Sequence, residues 1–398
     1  MSRQKNSKKE KIRLAVLFGG RSVEHEISII TGLQAMQAMD PEKYSIIPIY
    51  IAPTGKWFTG KPLYNRPFYR TFDASHPEIQ EVTLLPKPDV QGLLVCKNGI
   101  PTQEKIAIDA CFLGFHGQQG EDGCIQGLLE MTDIPYTGCG VPAAAVSMNK
   151  FLCKAIVKAA GVPVLPGIKV SKEDAMQSLA AVCRQIQSTP GLENFPLFVK
   201  PCSLGSSVGV SPALDLYALH GALAKVFQYD DYAIVEPFIQ NLLEVNISIL
   251  DGTPVKASVT EIPLTSRETG ALSYDDKYMR GGNKLAKPSQ GMASLARIIN
   301  PDHLPLTVKA AITQYALDAF KAIGCSGQAR LDFMIDTSKD QIYFNEINPI
   351  PGSLAFYLWD RLDPPLLYTQ SIDQMIARAF EKKAMKLSLK DHIGFRAL

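Results

Sequence analysis

The sequence predicts an α/β protein made of three successive units. Residues Ile12–Phe18 form an uninterrupted apolar run that stops at Gly19-Gly20, as a buried parallel strand would. After it, segments of strand character alternate with segments of helical period, which is typical of open sheets covered by helices. Hydrophobic residues make up 46% of the 398 positions and charged residues 20%, so several cores can form. This composition excludes disordered, collagen-like and disulfide-scaffold proteins.

The first unit is predicted to cover residues 1–138, and its polar, basic residues 1–11 are expected to be disordered. Its other elements follow the first strand in order: a helix at about 25–39, a strand at 44–51, hairpins or loops at 55–105, a strand at 106–114 and a helix near 125–131. The segment 55–105 is set apart by its proline, glycine and aromatic residues.

The central unit is predicted at residues 139–235 and the C-terminal unit at 236–398. Their elements are a helix at 142–160, a helix at about 173–187, a strand at 196–200, a helix at about 214–228, strands at 232–238, 244–250 and 255–262, a helix at 306–323 and a hairpin of 328–336 with 341–347. Residues 265–300 are polar, contain glycine and show no steady period. A segment this long is expected to be a functional lid or disordered.

The distribution of charge and cysteine limits the classes of partner and compartment. Residues 1–13 carry a net charge of +5 and the remainder −3, so the folded body offers no general attraction to nucleic acid. No apolar run approaches the roughly 20 residues that span a bilayer, and no signal peptide precedes the first strand, so no membrane partner is expected. The eight cysteines form no CxxC pair and lie mostly in apolar surroundings, which favours reduced thiols in a cytoplasmic protein.

The C-terminal hairpin carries four polar side chains that are predicted to converge. Residues two apart on a strand share a face, so Arg330 lies with Asp332, and in the same way Glu346 lies with Asn348. A hairpin centred on Lys339 then sets the two carboxylates opposite each other and the guanidinium opposite the amide. Such hard oxygen ligands suit Mg²⁺, which takes one or two carboxylates and completes its shell with substrate phosphates. A solvated face of salt bridges is the alternative, but the alternating residues are apolar and favour the metal site. These residues are Leu331, Phe333 and Ile347.

A glycine- and serine-rich loop follows the strand that ends at Lys200. In the segment FVKPCSLGSSVGV (198–210), backbone N–H groups could surround phosphate oxygens, with Lys200 as a point charge at the base of the loop. Taken alone, such a segment is more often an ordinary turn. The chain has no GxxxxGK[ST] sequence, and Gly19-Gly20 lacks the spacing of a dinucleotide fingerprint, so phosphate binding would use neither motif.

The strand around residue 236 has features of a purine site. The sequence Glu236-Pro237-Phe238-Ile239 combines an acceptor, an extended backbone and apolar side chains, and Glu244 follows after a turn. An edge strand with one solvated acid explains the same residues equally well.

In this combination and order, these features resemble the ATP-grasp superfamily. Five motifs make the chain similar to the D-alanine–D-alanine ligase family over residues 12–370: GGRSVEHEIS (19–28), HGQQGEDG (116–123), PYTGCG (135–140), LGSSVGV (204–210) and SYDDKY (273–278). The resemblance implies three α/β domains, with an open sheet in the N-terminal domain and the nucleotide held between the central and C-terminal domains.

The resemblance also implies roles for individual residues in binding ATP and metal. The phosphates of ATP would contact Lys150, Lys200 and Lys277. The adenine would face Glu236, Phe238 and Ile239, and the ribose would face Glu244. Two Mg²⁺ ions, which Mn²⁺ could replace, would be bound by Asp332, Glu346 and Asn348, while Arg330 would stabilise the transferred phosphoryl group.

For the amino acid substrates, the resemblance implies a hydrogen-bonded network around the first D-alanine, made by Glu24, Ser206 and Tyr278. Glu24 would itself meet the ammonium group. His116 and Gly117 would lie near the substrates, and Gly352 and Ser353 at the second one. Without the resemblance, four residues have plainer explanations: an acid at a helix start for Glu24, a solvated lysine for Lys150, a surface aromatic for Tyr278 and a structural histidine for His116.

The implied reaction joins two D-alanines for peptidoglycan precursors through an acyl phosphate made from ATP. This makes chemical sense because a carboxylate must be activated before an amine can attack it. An acyl phosphate also needs a site closed to water, for which the segment 265–300 would be the lid. The resemblance suggests a homodimer as well.

Two departures from the family pattern leave other functions open. Tyr357 stands where the family places a serine that binds the carboxylate of the second substrate. The residues after Tyr278 (MRGGNK) differ from the acidic lid tip that is expected. A different second D-amino acid or a D-hydroxy acid is therefore an alternative, although Tyr278, which D-lactate-using relatives replace, favours an amine. A non-catalytic nucleotide-binding regulator is a third hypothesis, and the intact residues of the metal site argue against it.

Overall fold

The structure, a computed structural model, describes residues 10–205, 208–264 and 297–389. It contains three sheets with helices packed against them, so the predicted α/β class is confirmed. Within these residues, no helix combines the length and the apolar character needed to cross a bilayer. Three predicted site residues, Ser206, Lys277 and Tyr278, lie outside the described residues, as do residues 1–9 and the part of the predicted lid up to residue 296.

The first sheet has seven strands. In chain order they are β1 (Ile12–Gly19), β2 (Tyr44–Ile51), β3 (Trp57–Gly60), β4 (Ile79–Thr83), β5 (Gly92–Lys97), β6 (Ile100–Ala107) and β7 (Ala110–Leu113). They are arranged β6-β5-β4-β3-β2-β1-β7, and β1 pairs in parallel with both β2 and β7. The carboxyl ends of three apolar strands therefore meet at one edge, beside the helices α1 (His25–Ala38) and α2 (Cys124–Thr132).

The segment 55–105 forms β3, β4, β5 and most of β6, an antiparallel extension of this sheet, as the predicted hairpins required. The predicted single strand at 106–114 was wrong, because the chain leaves the ladder at Asp109. The carboxylate of Asp109 accepts the backbone N–H of Arg13 at 2.7 Å and its guanidinium at 2.5 Å. As a result, β6 and β7 lie at opposite edges of the sheet.

The second sheet has four antiparallel strands and is covered by α5 (Lys172–Gln187) and α6 (Leu216–Val226). Its strands are β8 (Ile168–Ser171), β9 (Leu197–Pro201), β10 (Ser211–Ala213) and β11 (Tyr232–Pro237), in the order β10-β9-β11-β8. Apolar side chains from both helices and from the sheet form one buried core. The glycine- and serine-rich loop connects β9 to β10.

The third sheet has five antiparallel strands, in the order β14-β13-β12-β15-β16. They are β12 (Leu242–Leu250), β13 (Lys256–Pro263), β14 (Arg297–Ile299), β15 (Gln328–Asp336) and β16 (Gln341–Asn348). The pair β15 and β16 is the predicted C-terminal hairpin. The helix α7 (Leu306–Ile323) packs on this sheet and has the predicted bounds.

The predicted helix at 142–160 is in fact two helices, α3 (Val141–Met148) and α4 (Lys150–Ala159). Asn149 separates them in an extended conformation, and its side-chain oxygen accepts the N–H of Leu152 at 3.0 Å. This cap begins α4 at Lys150, whose backbone N–H donates to the carbonyl of Cys202 at 2.8 Å. The break therefore ties a predicted phosphate-binding lysine to the start of the glycine- and serine-rich loop.

After the third sheet, the chain returns to the first one through α8 (Phe356–Trp359) and α9 (Tyr368–Leu387). Trp359 and Ile372 are fully buried in the core that also contains β1 and β7. Lys43, just before β2, pairs with Asp373 of α9 at 2.6 Å. The first and last parts of the chain thus share one core, which fixes the first sheet relative to the third.

Candidate nucleotide, metal and amino acid site

A cleft with about 980 Å³ of open space lies between the second and third sheets. One wall comes from β9 and β11 and the other from β12, β15 and β16. Nine of the predicted site residues line the cleft: Lys150, Lys200, Glu236, Phe238, Ile239, Glu244, Arg330, Asp332 and Glu346.

The hairpin of β15 and β16 has the predicted register where it borders the cleft. Asp332 is opposite Glu346, and Arg330 is opposite Asn348. Nearer the turn, the ladder shifts by one residue, because β16 contains Asn345 as an extra residue. This bulge brings the Asn345 side chain into the cleft beside that of Glu346. Asn345 was not predicted, since strict alternation places it on the opposite face.

Arg330 and Asp332 form a two-pronged ion pair at the centre of the cleft. The distances are 2.7 Å from Nε to Oδ1 and 2.8 Å from Nη2 to Oδ2. Asn348 also donates to Asp332, at 3.2 Å. Burial opposes the charge of Arg330, but the carboxylate of Asp332 outweighs it and raises the pKa of Arg330 well above its ordinary value. A permanent cation therefore lies beside the two opposed carboxylates.

The oxygen donors of this hairpin fit Mg²⁺. Asp332 and Glu346 face the cleft from opposed positions, and Asn348 contacts Asp332. In the described parts of the chain, no group of three or more His, Cys, Asp and Glu side chains could hold a metal ion. An ion at this hairpin would therefore complete its shell with oxygens of a bound phosphate, as Mg²⁺ commonly does.

Two lysines reach the hairpin across the cleft. Lys150 Nζ lies 3.1 Å from Oε2 of Glu346. Lys200 Nζ donates to Oδ1 of Asn345 at 3.0 Å and lies 2.9 Å from Oε2 of Glu236. Both ammonium groups contact acceptors that phosphate oxygens could replace, and ionic hydrogen bonds of this kind are the strong ones.

Glu236 is only 1% exposed and is held between two lysines, Lys154 and Lys200. Burial opposes its charge, but the two ammonium groups lower the pKa of Glu236 to about 2. Burial lowers the pKa of Lys154 to about 8 in spite of the neighbouring carboxylate. Lys154 was not predicted. The available signal was its position four residues after Lys150, because residues four apart share a helix face.

The buried ion pair of Glu236 and Lys154 is expected to make the stability of the protein sensitive to acid. Because the pKa of Glu236 is lowered by folding, its contribution to stability is full above about pH 4.5 and is lost as the pH falls toward about 2. We expect the difference in unfolding free energy between the wild type and Glu236→Gln to shrink by about 2 kcal/mol between about pH 6 and about pH 3. Urea titrations at the two pH values measure it. A difference that does not change with pH would contradict the lowered pKa.

The opposite end of the cleft is apolar. The rings of Phe198 and Phe238 lie with their centres 5.9 Å apart, and Ile239 lines the cleft next to them. Glu236 and Glu244 add carboxylates from β11 and β12. This end can take a flat, partly polar ring on its apolar surface, as predicted for adenine and ribose.

Glu24 lies outside the cleft, at the carboxyl edge of the first sheet, and is approached closely by two glycines. A Cβ atom at Gly117 would lie 2.9 Å from Oε2 of Glu24, and one at Gly205 would lie 3.0 Å from it. Gly117 also has a φ of +77°, which side chains rarely adopt. A larger residue at either position would require the Glu24 carboxylate to shift. The N-terminal HGQQGEDG motif and the loop before Ser206 thus meet at Glu24.

His116 links this edge of the first sheet to the turn after β16. Its Nε2 lies 2.7 Å from Oγ1 of Thr31, and the same oxygen accepts the N–H of Ser353 at 3.1 Å. Burial, aided by the charge of Arg330, lowers the pKa of His116 to about 3, so the ring is neutral near pH 7. Ser353 and the preceding Gly352 therefore lie where the first unit meets the third.

Tyr357 is buried, and the guanidinium of Arg297, which was not predicted as a site residue, lies over its ring. The guanidinium of Arg297 lies 3.9 Å from the centre of the Tyr357 ring, and it binds Glu261 at 2.6 Å. Directly paired residues share a face of a sheet, and a row of such pairs leads from the C-terminal hairpin to Glu261. This row consists of Glu346, Asp332, Asn246 and Glu261. Tyr357, Arg297 and Glu261 therefore border the same sheet face as the two opposed carboxylates.

Comparison with known proteins covers nearly the whole chain. Family models described as D-ala D-ala ligase N-terminus and D-ala D-ala ligase C-terminus match residues 13–139 and 156–376. The D-alanine–D-alanine ligase of Thermosipho africanus (strain TCF52B) is 37% identical over 371 residues, which are 93% of this chain and 94% of that protein. A solved D-alanine–D-alanine ligase from Coxiella burnetii has a TM-score of 0.75 and 29% identity, covering 95% and 97% of the two chains. The VanG D-Ala:D-Ser ligase from Enterococcus faecalis has a TM-score of 0.76 and 25% identity, covering 93% and 100%.

Proposed function

The chain belongs to the D-alanine–D-alanine ligase family, and from that premise we propose that it joins two D-alanine molecules while ATP is cleaved to ADP and phosphate. One observation carries this proposal: the cleft brings the opposed carboxylates of Asp332 and Glu346 together with the cations Arg330, Lys150 and Lys200. Phosphoryl transfer needs such an arrangement, because charge on the phosphates must be neutralised as the bond to the leaving group breaks. Since ATP is the second reactant, we also propose the cytoplasm as the compartment.

In this proposal ATP lies in the cleft with its adenine at the apolar end. Phe238 and Ile239 contact the ring, Glu236 accepts from its amino group, and Glu244 meets the ribose. The phosphates lie between the lysines and the hairpin, where Asp332, Glu346 and Asn348 would hold Mg²⁺, which neutralises phosphate charge when bound. The family resemblance assigns Lys277 to the phosphates and the segment 265–300 to the lid. Both complete this half of the proposed site.

The first D-alanine binds with its ammonium group at Glu24. Its carboxylate oxygen attacks the γ-phosphorus of ATP, the bond to ADP breaks, and an acyl phosphate forms. Arg330 stabilises the charge on the transferred group. The amine of the second D-alanine then attacks the acyl carbon and loses a proton, and phosphate leaves. Ser206 and Tyr278 are proposed to support the first substrate, and Gly352 and Ser353 to border the second.

A different acceptor is the second candidate, and Tyr357 is the observation that favours it. The family pattern has a small serine side chain at this position. Here the larger Tyr357 takes its place, and the guanidinium of Arg297 lies against its ring. One of the similar solved structures is named a D-Ala:D-Ser ligase. D-Serine, another D-amino acid or a D-hydroxy acid such as D-lactate is therefore the alternative second substrate.

Phosphate release from ATP over a panel of substrates separates these candidates. We expect D-alanine alone to stimulate release strongly, because it fills both positions, and L-alanine to give only the background rate. Mass spectrometry of an equimolar mixture of D-alanine and D-serine or D-lactate then identifies the product. A mixed dipeptide or an ester as the main product would favour the alternative. No stimulation by D-alanine would contradict the proposal itself.

A further inference from the structure

Glu121, in the HGQQGEDG motif, is buried and has no role in the chemistry described above. Its side chain is 7% exposed. The oxygen Oε2 accepts the backbone N–H of Gly117 at 2.6 Å, and Oε1 accepts the backbone N–H of Ile350 at 3.1 Å. Gly117 belongs to the loop after β7 of the first sheet, whereas Ile350 follows β16 of the third sheet. One carboxyl group therefore joins the backbones of two units.

The same turn is attached to the first unit at further points. The ring of His116 lies close enough to Ile350 for the backbone of that residue to raise the pKa of the ring, although burial lowers the pKa more strongly. The hydroxyl of Thr31 accepts the N–H of Ser353 at 3.1 Å. Thr31 and His116 in turn contact each other at 2.7 Å. Side chains of the first unit thus bind the turn at both of its ends, 350 and 353.

This turn needs to be held, because its backbone is strained. Three successive residues other than glycine have positive φ angles: Ser353 at 52°, Leu354 at 51° and Ala355 at 46°. Such residues are energetically unfavourable and persist only where contacts with the surrounding structure hold them in place. The contacts made by Glu121, His116 and Thr31 hold the start of the turn in this strained conformation.

On its other side, Gly117 borders the carboxylate of Glu24. A Cβ atom at Gly117 would lie 2.9 Å from Oε2 of Glu24, so the carboxylate lies next to the Gly117 backbone and leaves little room for a side chain there. The Gly117 backbone is therefore fixed between two acids: Glu121 binds its N–H, and Glu24 lies against its α-carbon. Any movement of Glu121 would shift the wall against which the Glu24 carboxylate rests.

We infer that Glu121 is a positioning residue that clamps the Gly117 loop and the Ile350–Ser353 turn together, and so sets the separation of the two walls of the amino acid subsites. This inference rests on the proposed function, because those walls carry Glu24 on one side and Gly352 and Ser353 on the other. The nucleotide cleft does not include Glu121. The clamp should therefore affect amino acid binding and leave ATP binding unchanged.

Hydrogen exchange tests the clamp without reference to catalysis. In Glu121→Ala, we expect the peptides that contain Gly117 and Ile350 to exchange at least about tenfold faster, because both N–H groups lose their acceptor. Glu121→Gln keeps one acceptor oxygen, so one of the two peptides should respond, even if the alanine variant folds poorly. Glu104→Gln, at an exposed glutamate on β6, is the matched control and should leave both peptides unchanged. Unchanged exchange in a folded Glu121→Ala protein would overturn the inference.

Steady-state kinetics tests its consequence. Glu121→Gln should lower kcat/KM for D-alanine by about 10- to 100-fold through KM, while KM for ATP stays within about twofold. A merely structural role would lower the fraction of active enzyme without separating the two KM values. Equal shifts in both, or no shift in either, would overturn the inference. If the wild type turns over no D-amino acid, the proposed function fails, and the exchange experiment still decides whether the clamp exists.

Discussion

Asp332→Asn is expected to lower kcat by about 10³-fold in a protein that still folds and binds ATP. Asparagine keeps the shape of the side chain, but it removes the negative charge opposite Glu346. Mg²⁺ would then lose one of its two proposed carboxylate ligands, and Arg330 would keep an acceptor at only one of the two positions that it contacts at 2.7 Å and 2.8 Å, without the negative charge. Phosphate release at saturating ATP and D-alanine measures the effect, with thermal unfolding as the check on folding.

Asp340→Asn is the matched control for this experiment. Asp340 is exposed in the turn of the same hairpin, and its φ of 51° is one that asparagine adopts as readily as aspartate. Its kcat should stay within about twofold of wild type. If Asp332→Asn kept more than about a tenth of the wild-type kcat, the assignment of the metal site would be wrong. A wild type that binds ATP without any turnover would instead support a non-catalytic regulator.

The register of the C-terminal hairpin could be predicted because local rules determine it. Alternation along each strand and a short turn are enough to set Asp332 opposite Glu346 and Arg330 opposite Asn348. The strand–helix order of the three units follows in the same way from apolar periodicity. The assignment of roles to Glu24 and Lys150 needed the family resemblance, because each residue alone has an ordinary structural explanation.

Local interruptions escaped the prediction, because single side chains decide them. The bulge at Asn345 reverses the face that alternation assigns to it. Asn149 caps a new helix inside a segment with continuous helical character. Asp109 ends a strand by binding Arg13, which is 96 residues away in sequence. At Asn149 and at Asp109, a short polar side chain binds a backbone N–H group and so competes with the regular backbone pattern.

Long-range polar pairs were missed for a different reason, because sequence patterns do not show which distant groups meet. Glu121 binds the backbone of Ile350 across 229 positions. Arg297 and Glu261 are 36 positions apart. Lys154 and Glu236 are 82 positions apart. These pairs form only once the three sheets are assembled, so the fold class can be predicted while the charge pairs around the site cannot.

Lys154→Met is expected to lower the unfolding free energy by about 3 kcal/mol and to raise KM for ATP by about tenfold. Glu236 is 1% exposed, and loss of one partner leaves a buried carboxylate with Lys200 alone. The remaining pair would draw Lys200 away from Asn345, which it contacts at 3.0 Å, and so misplace a cation assigned to the phosphates. Urea unfolding and initial rates at varied ATP measure the two effects. Lys158→Met, at an exposed position one turn later on α4, should change stability by no more than about 0.5 kcal/mol.

A double-mutant cycle with Glu236→Gln then separates lost charge from lost packing. If the uncompensated carboxylate causes the effect, Lys154→Met will destabilise the Glu236→Gln background far less, with a coupling energy of at least about 2 kcal/mol. If the two effects add, the methylene chain of Lys154 stabilises the protein through contacts alone, and the charge explanation is wrong. Strong coupling would mean that Lys154 keeps Glu236 ionised at the apolar end of the cleft, because Lys200 alone would not compensate the buried charge.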